Sequence, residues 1–128
     1  MEKIKFQLEF TFNTSPKLLY SRFSTPSGLA EWFADDVRLK SKDFTFFWDG
    51  SEQTAKLLMK KSNEYIRFKW EDDDEDDIES YFEFKITTDE LTNDVALIIT
   101  DFAEEDEIED SKDLWDQQIN NLKRAIGL

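Results

Sequence analysis

The chain has 128 residues, of which 39% are hydrophobic and 15% aromatic, enough apolar material for one folded domain over residues 1–128. Its formal net charge of −14 disfavours nucleic acid and acidic membrane surfaces as partners, because both bind through Lys and Arg. The absence of Cys and His excludes disulfides, thiolate nucleophiles and Ser-His-Asp catalysis.

The first elements are a strand and two short helices. Apolar and polar side chains alternate over residues 4–12, which predicts a half-buried β-strand. Two helix-start signals follow, because Ser15 and Thr25 each precede a Pro that suits the first helical position. Apolar residues after each signal predict two short amphipathic helices in tandem.

The middle of the chain has the pattern of successive strands. Apolar residues alternate with polar ones near residues 37–39, 44–48, 55–59, 66–70 and 78–86. Residues 95–102 are more uniformly apolar, so their pattern does not tell which face points inward. Short connections, including a turn signal at Asp49-Gly50, require an antiparallel meander.

A long helix is predicted at the end of the chain. The apolar residues with helical spacing are Leu114, Trp115, Ile119, Leu122 and Ile126. Asp110 and Asp113 resemble an acidic capping box at its start, and Lys123 and Arg124 suit its last turn. This helix is available to cover the dry face of seven strands, which predicts an α+β fold with a curved antiparallel sheet around the C-terminal helix.

This order of elements resembles the helix-grip fold of the START and Bet v 1-like (SRPBCC) superfamily, and within it the Hsp90-activator (AHSA1-like) branch. The resemblance covers nearly the whole chain and depends on residues 15–23, 26–33 and 115–122, none of which is a catalytic signature. It implies a non-catalytic module that binds a small hydrophobic ligand between sheet and helix. The alternative is a co-chaperone-like or other protein-interaction module with a filled core. A cyclase or hydrolase-type enzyme is less favoured.

Inward-facing apolar side chains are the candidate ligand-binding residues: Trp32, Phe33, Phe46, Trp48, Phe68, Trp70, Phe82, Phe84, Trp115, Ile119 and Leu122. The resemblance to lipid-binding relatives implies that they wall a pocket. The same rings would equally well fill the interior, since protein cores pack to a density of about 0.74. Both interpretations stay open, and Ser80 is the one clear polar residue on these strand faces.

An acidic segment covers residues 71–79. It lacks the glycine and the ligand spacing of an EF-hand loop, so a solvated hairpin tip is favoured over a calcium site. In a meander, alternate turns share one end of the sheet, which groups this segment with residues 49–52 and 104–107. The basic turns, with Lys40, Lys42, Lys60 and Lys61, fall at the other end. We expect the acidic end to attract a basic protein or peptide.

Catalysis is not expected. None of the strands with an assigned face carries an inward-facing acid, and Tyr20, Tyr65 and Tyr81 belong to no catalytic motif. We therefore expect no catalytic residue, no metal site and no cofactor. No signal peptide is recognised, and no apolar run approaches the about 20 residues of a membrane span, so the expected location is the cytoplasm and no membrane partner is expected.

Overall fold

Seven strands form one antiparallel sheet in the computed structural model, which describes residues 3–75 and 79–128. The strands are β1 (Ile4–Phe12), β2 (Asp36–Lys40), β3 (Asp43–Trp48), β4 (Ser51–Lys61), β5 (Tyr65–Trp70), β6 (Phe82–Thr88) and β7 (Val95–Ala103). Their order across the sheet is β1-β7-β6-β5-β4-β3-β2, in which β2 to β7 follow one another as neighbours. The predicted meander is confirmed, and β1 extends it by pairing with β7.

Two tandem helices follow β1 at the predicted starts: α1 (Pro16–Ser24) and α2 (Pro26–Leu29). The hydroxyl oxygen of Ser15 accepts a hydrogen bond from the Leu18 N–H at 3.1 Å, and that of Thr25 accepts one from the Gly28 N–H at 3.0 Å. Both predicted N-caps are therefore confirmed. They satisfy backbone donors that have no partner within the first turn of a helix.

The long C-terminal helix, α4 (Ile108–Ala125), covers the concave side of the sheet. Its predicted start at Asp110 is wrong, because a 3-10 turn at Glu105–Glu107 leads directly into the helix at Ile108. Glu107 occupies the N-cap position without a side-chain capping bond, and Asp110 lies within the first turn. Acidic charge there still suits the helix dipole. The α+β fold with a seven-stranded sheet and a C-terminal helix is confirmed.

The apolar stripe of α4 is narrower than its sequence suggests. Trp115, Ile119 and Leu122 are buried at positions i, i+4 and i+7, and Ile126 is half-buried at the C-cap. Leu114 is 56% exposed, so its assignment to the buried stripe is wrong. Successive helical residues are about 100° apart, and the burial of Trp115 therefore turns Leu114 toward the edge of the interface. None of the helices in the described ranges is long and apolar enough to cross a membrane.

The structure settles which face of β7 points inward. Val95, Leu97, Ile99 and Ala103 are buried, and they pair with the inward face of β1, where Asp101 lies opposite Phe6. Because side chains alternate along a strand, Asp101 shares this inward face. An acid therefore points toward the core side of the sheet, on the strand whose inward face the sequence pattern did not decide.

The acidic segment is partly structured. Residues Glu71–Glu75 form a short helix, α3, and Asp73 is only 9% exposed, so the prediction of a fully solvated tip is wrong for this residue. The Asp73 carboxylate lies 2.9 Å from Lys3 Nζ and accepts a hydrogen bond from the Ser80 hydroxyl at 2.6 Å. Pairing of this kind offsets the cost of burying a charge. Residues 76–78, which include the predicted strand residue Ile78, lie outside the described residues.

The two ends of the sheet differ in charge. α4 begins beside the end of β7 and finishes near Phe12, whose ring lies 5.5 Å from Lys123 Nζ. The acidic connections after β3, β5 and β7 share the end where α4 begins, as the alternation of antiparallel strands predicts. The opposite end is mixed and not purely basic, since the connection between β6 and β7 carries Asp89, Glu90 and Asp94.

Candidate functional site

A cleft of about 440 Å³ opens between the sheet and the first half of α4. We call it the aromatic cleft, and it is lined by Phe33, Trp48, Gln53, Trp70, Asp101, Ser111, Leu114, Trp115 and Gln118. Strands β3, β4, β5 and β7, the segment after α2 and one side of α4 each contribute to this lining. Residues distant in the sequence therefore meet at the acidic end of the sheet.

Four rings form the apolar wall of the aromatic cleft. The centroids of Trp48 and Trp70 are 6.5 Å apart with their planes tilted by 53°, so these indoles form a corner and not a stack. Phe33 contacts Trp48 edge-on at 5.8 Å and stacks with Trp115 at 5.9 Å. The Trp48 indole Nε1 donates a 2.9 Å hydrogen bond to the Phe33 carbonyl oxygen, which fixes that ring in place. The wall is thus held by contacts on several sides.

Asp101 is the acid at this site. Its Oδ2 accepts a 2.9 Å hydrogen bond from the Trp115 indole, and its Oδ1 accepts one of 2.8 Å from the Phe102 N–H. Burial raises the pKa of the Asp101 carboxyl, because removing a carboxylate from water disfavours its charged form. These two hydrogen bonds act against that rise but do not cancel it.

Two further charges act on Asp101 from outside the lining. Lys3 lowers the pKa of Asp101, whereas Asp73 raises it. The Lys3 ammonium is itself bonded to Asp73, so its single positive charge is shared between the carboxylates of Asp73 and Asp101. The local balance of charge is negative.

The structure brings four of the predicted ligand-binding residues to the cleft: Phe33, Trp48, Trp70 and Trp115. It places six others in the core, where none is more than 1% exposed: Phe46, Phe68, Phe82, Phe84, Ile119 and Leu122. These core rings contact each other closely, with Phe68 and Phe82 centroids 5.0 Å apart. They support the wall from behind, and their role as ligand contacts stays a prediction.

Trp32 lies on a second, more open pocket of about 660 Å³ between the segment after α2 and the C-terminal half of α4. Its indole donates a 2.7 Å hydrogen bond to the Arg22 carbonyl oxygen, which ties the segment to α1. The two pockets share Phe33, Trp48 and Gln118. Charged residues at the second pocket include Glu31, Asp35 and Arg124, so the aromatic cleft fits an apolar ligand better.

Sequence reasoning missed five lining residues: Gln53, Asp101, Ser111, Leu114 and Gln118. Two signals pointed to part of this set. Ser111 and Gln118 lie four residues before and three residues after Trp115, which places them on the same side of a helix. Asp101 is an acid within an otherwise apolar run, but both faces of that run are apolar and the period of two could not orient it.

Three carboxylates before α4, those of Glu104, Asp106 and Glu107, lie within 4.8 Å of one another. Asp106 and Glu107 are exposed, and exposed acids commonly lie this close without an ion. Nothing else in the described ranges points to a cation at this position. The expectation of no metal site stays a prediction.

Comparisons with known proteins extend the picture. The family model for the START-like superfamily domain matches residues 1–128. A solved Bacteroides fragilis protein, BfR322, is 44% identical, with a TM-score of 0.69 over 100% of this chain and 94% of that protein. The Aha1 dimer of Colwellia psychrerythraea is 19% identical, with a TM-score of 0.80 over 95% of each chain.

An AHSA1-like protein from Aeromonas hydrophila is 14% identical, with a TM-score of 0.75 over 97% of this chain and 92% of that protein. At 19% and 14% identity, the last two likenesses concern the fold alone. No curated protein matches the chain.

Proposed function

Because the chain belongs to the START-like superfamily, we propose that it is a non-catalytic module that binds a small hydrophobic ligand in the aromatic cleft. The observation that carries this proposal is the volume of about 440 Å³ with four rings in its lining. Sites for small molecules are typically concave, about 300–1,000 Å³ in volume, and mostly apolar with a few polar groups. The cleft has each of these properties.

The packing behind the cleft limits the size of the ligand. Trp70, at the wall, stacks directly on Phe82 with centroids 4.7 Å apart, and Phe82 in turn stacks on the fully buried Phe68. Side chains at this density leave little room for a long acyl chain to enter the core. The proposed ligand therefore contacts the rings that line the aromatic cleft and does not extend between the buried side chains of the core.

The composition of the lining supports a binding role over catalysis. Among the described residues that line the aromatic cleft, Asp101 is the only one with a titratable side chain, and Gln53, Ser111 and Gln118 are neutral. Carboxylate-based hydrolysis and cyclisation generally use a second acid, base or nucleophile close to the first. The cleft offers hydrogen-bonding groups that orient a ligand without such a pair.

A second candidate function is a co-chaperone-like or other protein-interaction module. Leu114, which is 56% exposed, lies at the rim of the cleft and is flanked along α4 by the exposed acids Asp113 and Asp116. An apolar side chain within an acidic surface suits a basic protein or peptide that places an apolar residue in the cleft. In this alternative the cleft receives a side chain of a partner protein.

Titration with n-octanol tests the ligand-binding proposal. We expect it to shift the indole N–H signals of Trp48, Trp70 and Trp115 in two-dimensional NMR spectra more than that of Trp32. Replacing Trp70 by Leu should weaken octanol binding about 10-fold through the loss of one ring contact. The matched control is Phe47→Leu, which removes a ring from β3 on the opposite face of the sheet.

Native mass spectrometry of freshly purified protein complements this titration. A discrete added mass, identified after organic extraction, supports the ligand-binding proposal. A mass without an added compound, together with no octanol-induced shift at the cleft indoles, contradicts it and favours the protein-interaction module.

A further inference from the structure

We propose that the ligand of the aromatic cleft is an organic cation, with an ammonium group bound among the indoles beside the Asp101 carboxylate. The inference depends on the proposed ligand-binding function and specifies the chemical class of the ligand. The cleft combines two features that select a cation over a neutral or anionic compound: indole faces, and a carboxylate that forms no ion pair with a Lys or Arg among the described residues. Each feature comes from different residues.

Indole faces are the first feature. The negative face of a tryptophan ring attracts an ammonium group within about 6 Å of its centroid, more strongly than the rings of Tyr or Phe do. Trp48, Trp70 and Trp115 all line the cleft, and the 53° tilt between Trp48 and Trp70 leaves a corner between two indoles. A fully alkylated ammonium group suits such a corner, because it has no N–H group that would need a hydrogen-bond acceptor and can therefore be surrounded by ring faces.

The carboxylate of Asp101 is the second feature. Its hydrogen-bond donors are the neutral Trp115 indole and the Phe102 N–H, and no Lys or Arg in the described part of the chain forms an ion pair with it. The nearby Lys3 is bonded to Asp73 at 2.9 Å. A bound ammonium would supply the positive charge that this partly buried carboxylate lacks.

The raised pKa of Asp101 is consistent with that role. Burial is its largest cause, and the charged groups that act on it are Lys3 and Asp73. A bound cation would favour the ionised form and so lower the pKa again. Binding of a cation is therefore expected to weaken when the pH falls far enough to protonate Asp101, whereas binding of a neutral compound is not.

The surroundings of the cleft oppose an anionic ligand. A small hollow of about 190 Å³ shares Gln53 and Trp70 with the cleft and is lined by Glu52, Glu71 and Asp72. Within the described lining of the cleft and this hollow there is no Lys or Arg. Fatty acids and phosphorylated compounds would enter a negative potential there, while cations would be drawn in.

Three probes with the same eight-carbon chain test the inference: n-octyltrimethylammonium, n-octanol and octanoate, each kept below its micelle concentration. Affinities are measured by calorimetry, and the site is identified by the indole NMR signals of the cleft. We expect the ammonium compound to bind about 10-fold or more tightly than octanol, and octanoate to bind least.

The decisive variant is Asp101→Asn, which removes the charge and keeps an oxygen that accepts the Trp115 indole hydrogen bond. We expect it to abolish the preference for the cation, so that the ammonium compound and octanol bind this variant with affinities within about 2-fold of each other. Asp110→Asn is the matched control, because it removes one exposed acid from the first turn of α4. That variant should keep the preference in 0.15 M salt, where distant exposed charges are largely screened.

Two results would overturn the inference and leave the proposed function standing. Equal affinity of the wild-type protein for octanol and the ammonium compound would do so, and this comparison needs no variant. The inference would also be overturned if Asp101→Asn still bound the ammonium compound more tightly than octanol, because the preference would then come from general surface charge. In both cases octanol binding at the cleft indoles still supports the proposed function. If none of the probes shifts those indoles, the proposed function fails together with the inference.

Discussion

The indole Nε1 of Trp115 on α4 donates a 2.9 Å hydrogen bond to Oδ2 of Asp101 at the end of β7. This bond joins the helix to the sheet at the edge of the aromatic cleft, and both residues line that cleft. The same Trp115 ring stacks on Phe33 and meets Phe84 edge-on at 5.7 Å. One side chain therefore connects the helix, the sheet and the segment after α2.

Replacing Trp115 by Ala is expected to lower the free energy of unfolding by about 3–5 kcal/mol, as for other large rings removed from a core. The ring is only 7% exposed, and its loss leaves a cavity between helix and sheet. Urea unfolding measures the effect. The control is the adjacent Leu114→Ala, which should change stability by less than about 1 kcal/mol because Leu114 is largely exposed. A cost below about 1 kcal/mol for Trp115→Ala would show that the ring is not part of the core.

Asp101→Asn is expected to gain stability relative to the wild-type protein as the pH rises. Burial raises the pKa of Asp101, so the folded state holds this proton to a higher pH than the unfolded chain does. The folded state then binds more protons, and wild-type stability falls as the pH rises from the unfolded pKa, about 3.9, through the folded pKa. Asn does not ionise and avoids this loss.

The test compares urea midpoints of wild-type protein and Asp101→Asn at several pH values between 3.5 and 8. The advantage of the variant should grow over this range by about 1.4 kcal/mol for each unit that separates the folded and unfolded pKa values. The exposed Asp110→Asn should not gain stability over the same range. A difference between Asp101→Asn and wild type that stays constant with pH would contradict the assigned cause.

The buried Asp73 is expected to stabilise the folded protein through its contacts with Ser80 and Lys3. Asp73→Ala removes the acceptor of the Ser80 hydroxyl and the partner of Lys3, and the loss of hydrogen bonds of this kind costs about 1–3 kcal/mol. Thermal unfolding of Asp73→Ala should be compared with that of Asp72→Ala, an exposed acid on the same helix that should change stability by about 0.5 kcal/mol or less. Equal effects of the two variants would mean that the contacts of Asp73 add nothing to stability.

Gly28 is expected to tolerate no larger side chain. A Cβ atom at this position would clash with the Ser21 carbonyl oxygen and lie 2.8 Å from the Arg22 Cα, both of them backbone atoms. Gly28→Ala should therefore destabilise the protein by about 1–3 kcal/mol by forcing α1 and α2 apart. Ser27→Ala, at the exposed neighbouring position, is the control for helix propensity. A neutral or stabilising Gly28→Ala would show that the two helices are farther apart.

Much of the fold was predictable because its signals are local. The period of two in β1, the Ser15 and Thr25 caps and the short connections depend on neighbouring residues, and each is confirmed. The N-cap of α4 is Glu107, three residues before the predicted Asp110, since a 3-10 turn leads into the helix and no side-chain cap marks its first residue. Elements with a strict period or a side-chain cap are predicted correctly, whereas local signals did not give the first residue of α4 or the inward face of β7.

Local sequence patterns are enough to show that the chain has apolar faces to bury, which elements carry them, and that the sheet is an antiparallel meander. The depth at which each ring lies depends on tertiary packing. Trp48 and Trp70 reach the cleft, while Phe46, Phe68 and Phe82, with the same alternation along their strands, fill the core. The alternation of apolar and polar residues along a strand predicts only that a side chain points inward. The depth of a side chain depends on the packing of α4 against strands far away in the chain. The same packing decides that Asp101 points inward on β7, because apolar residues occur on both faces of that strand.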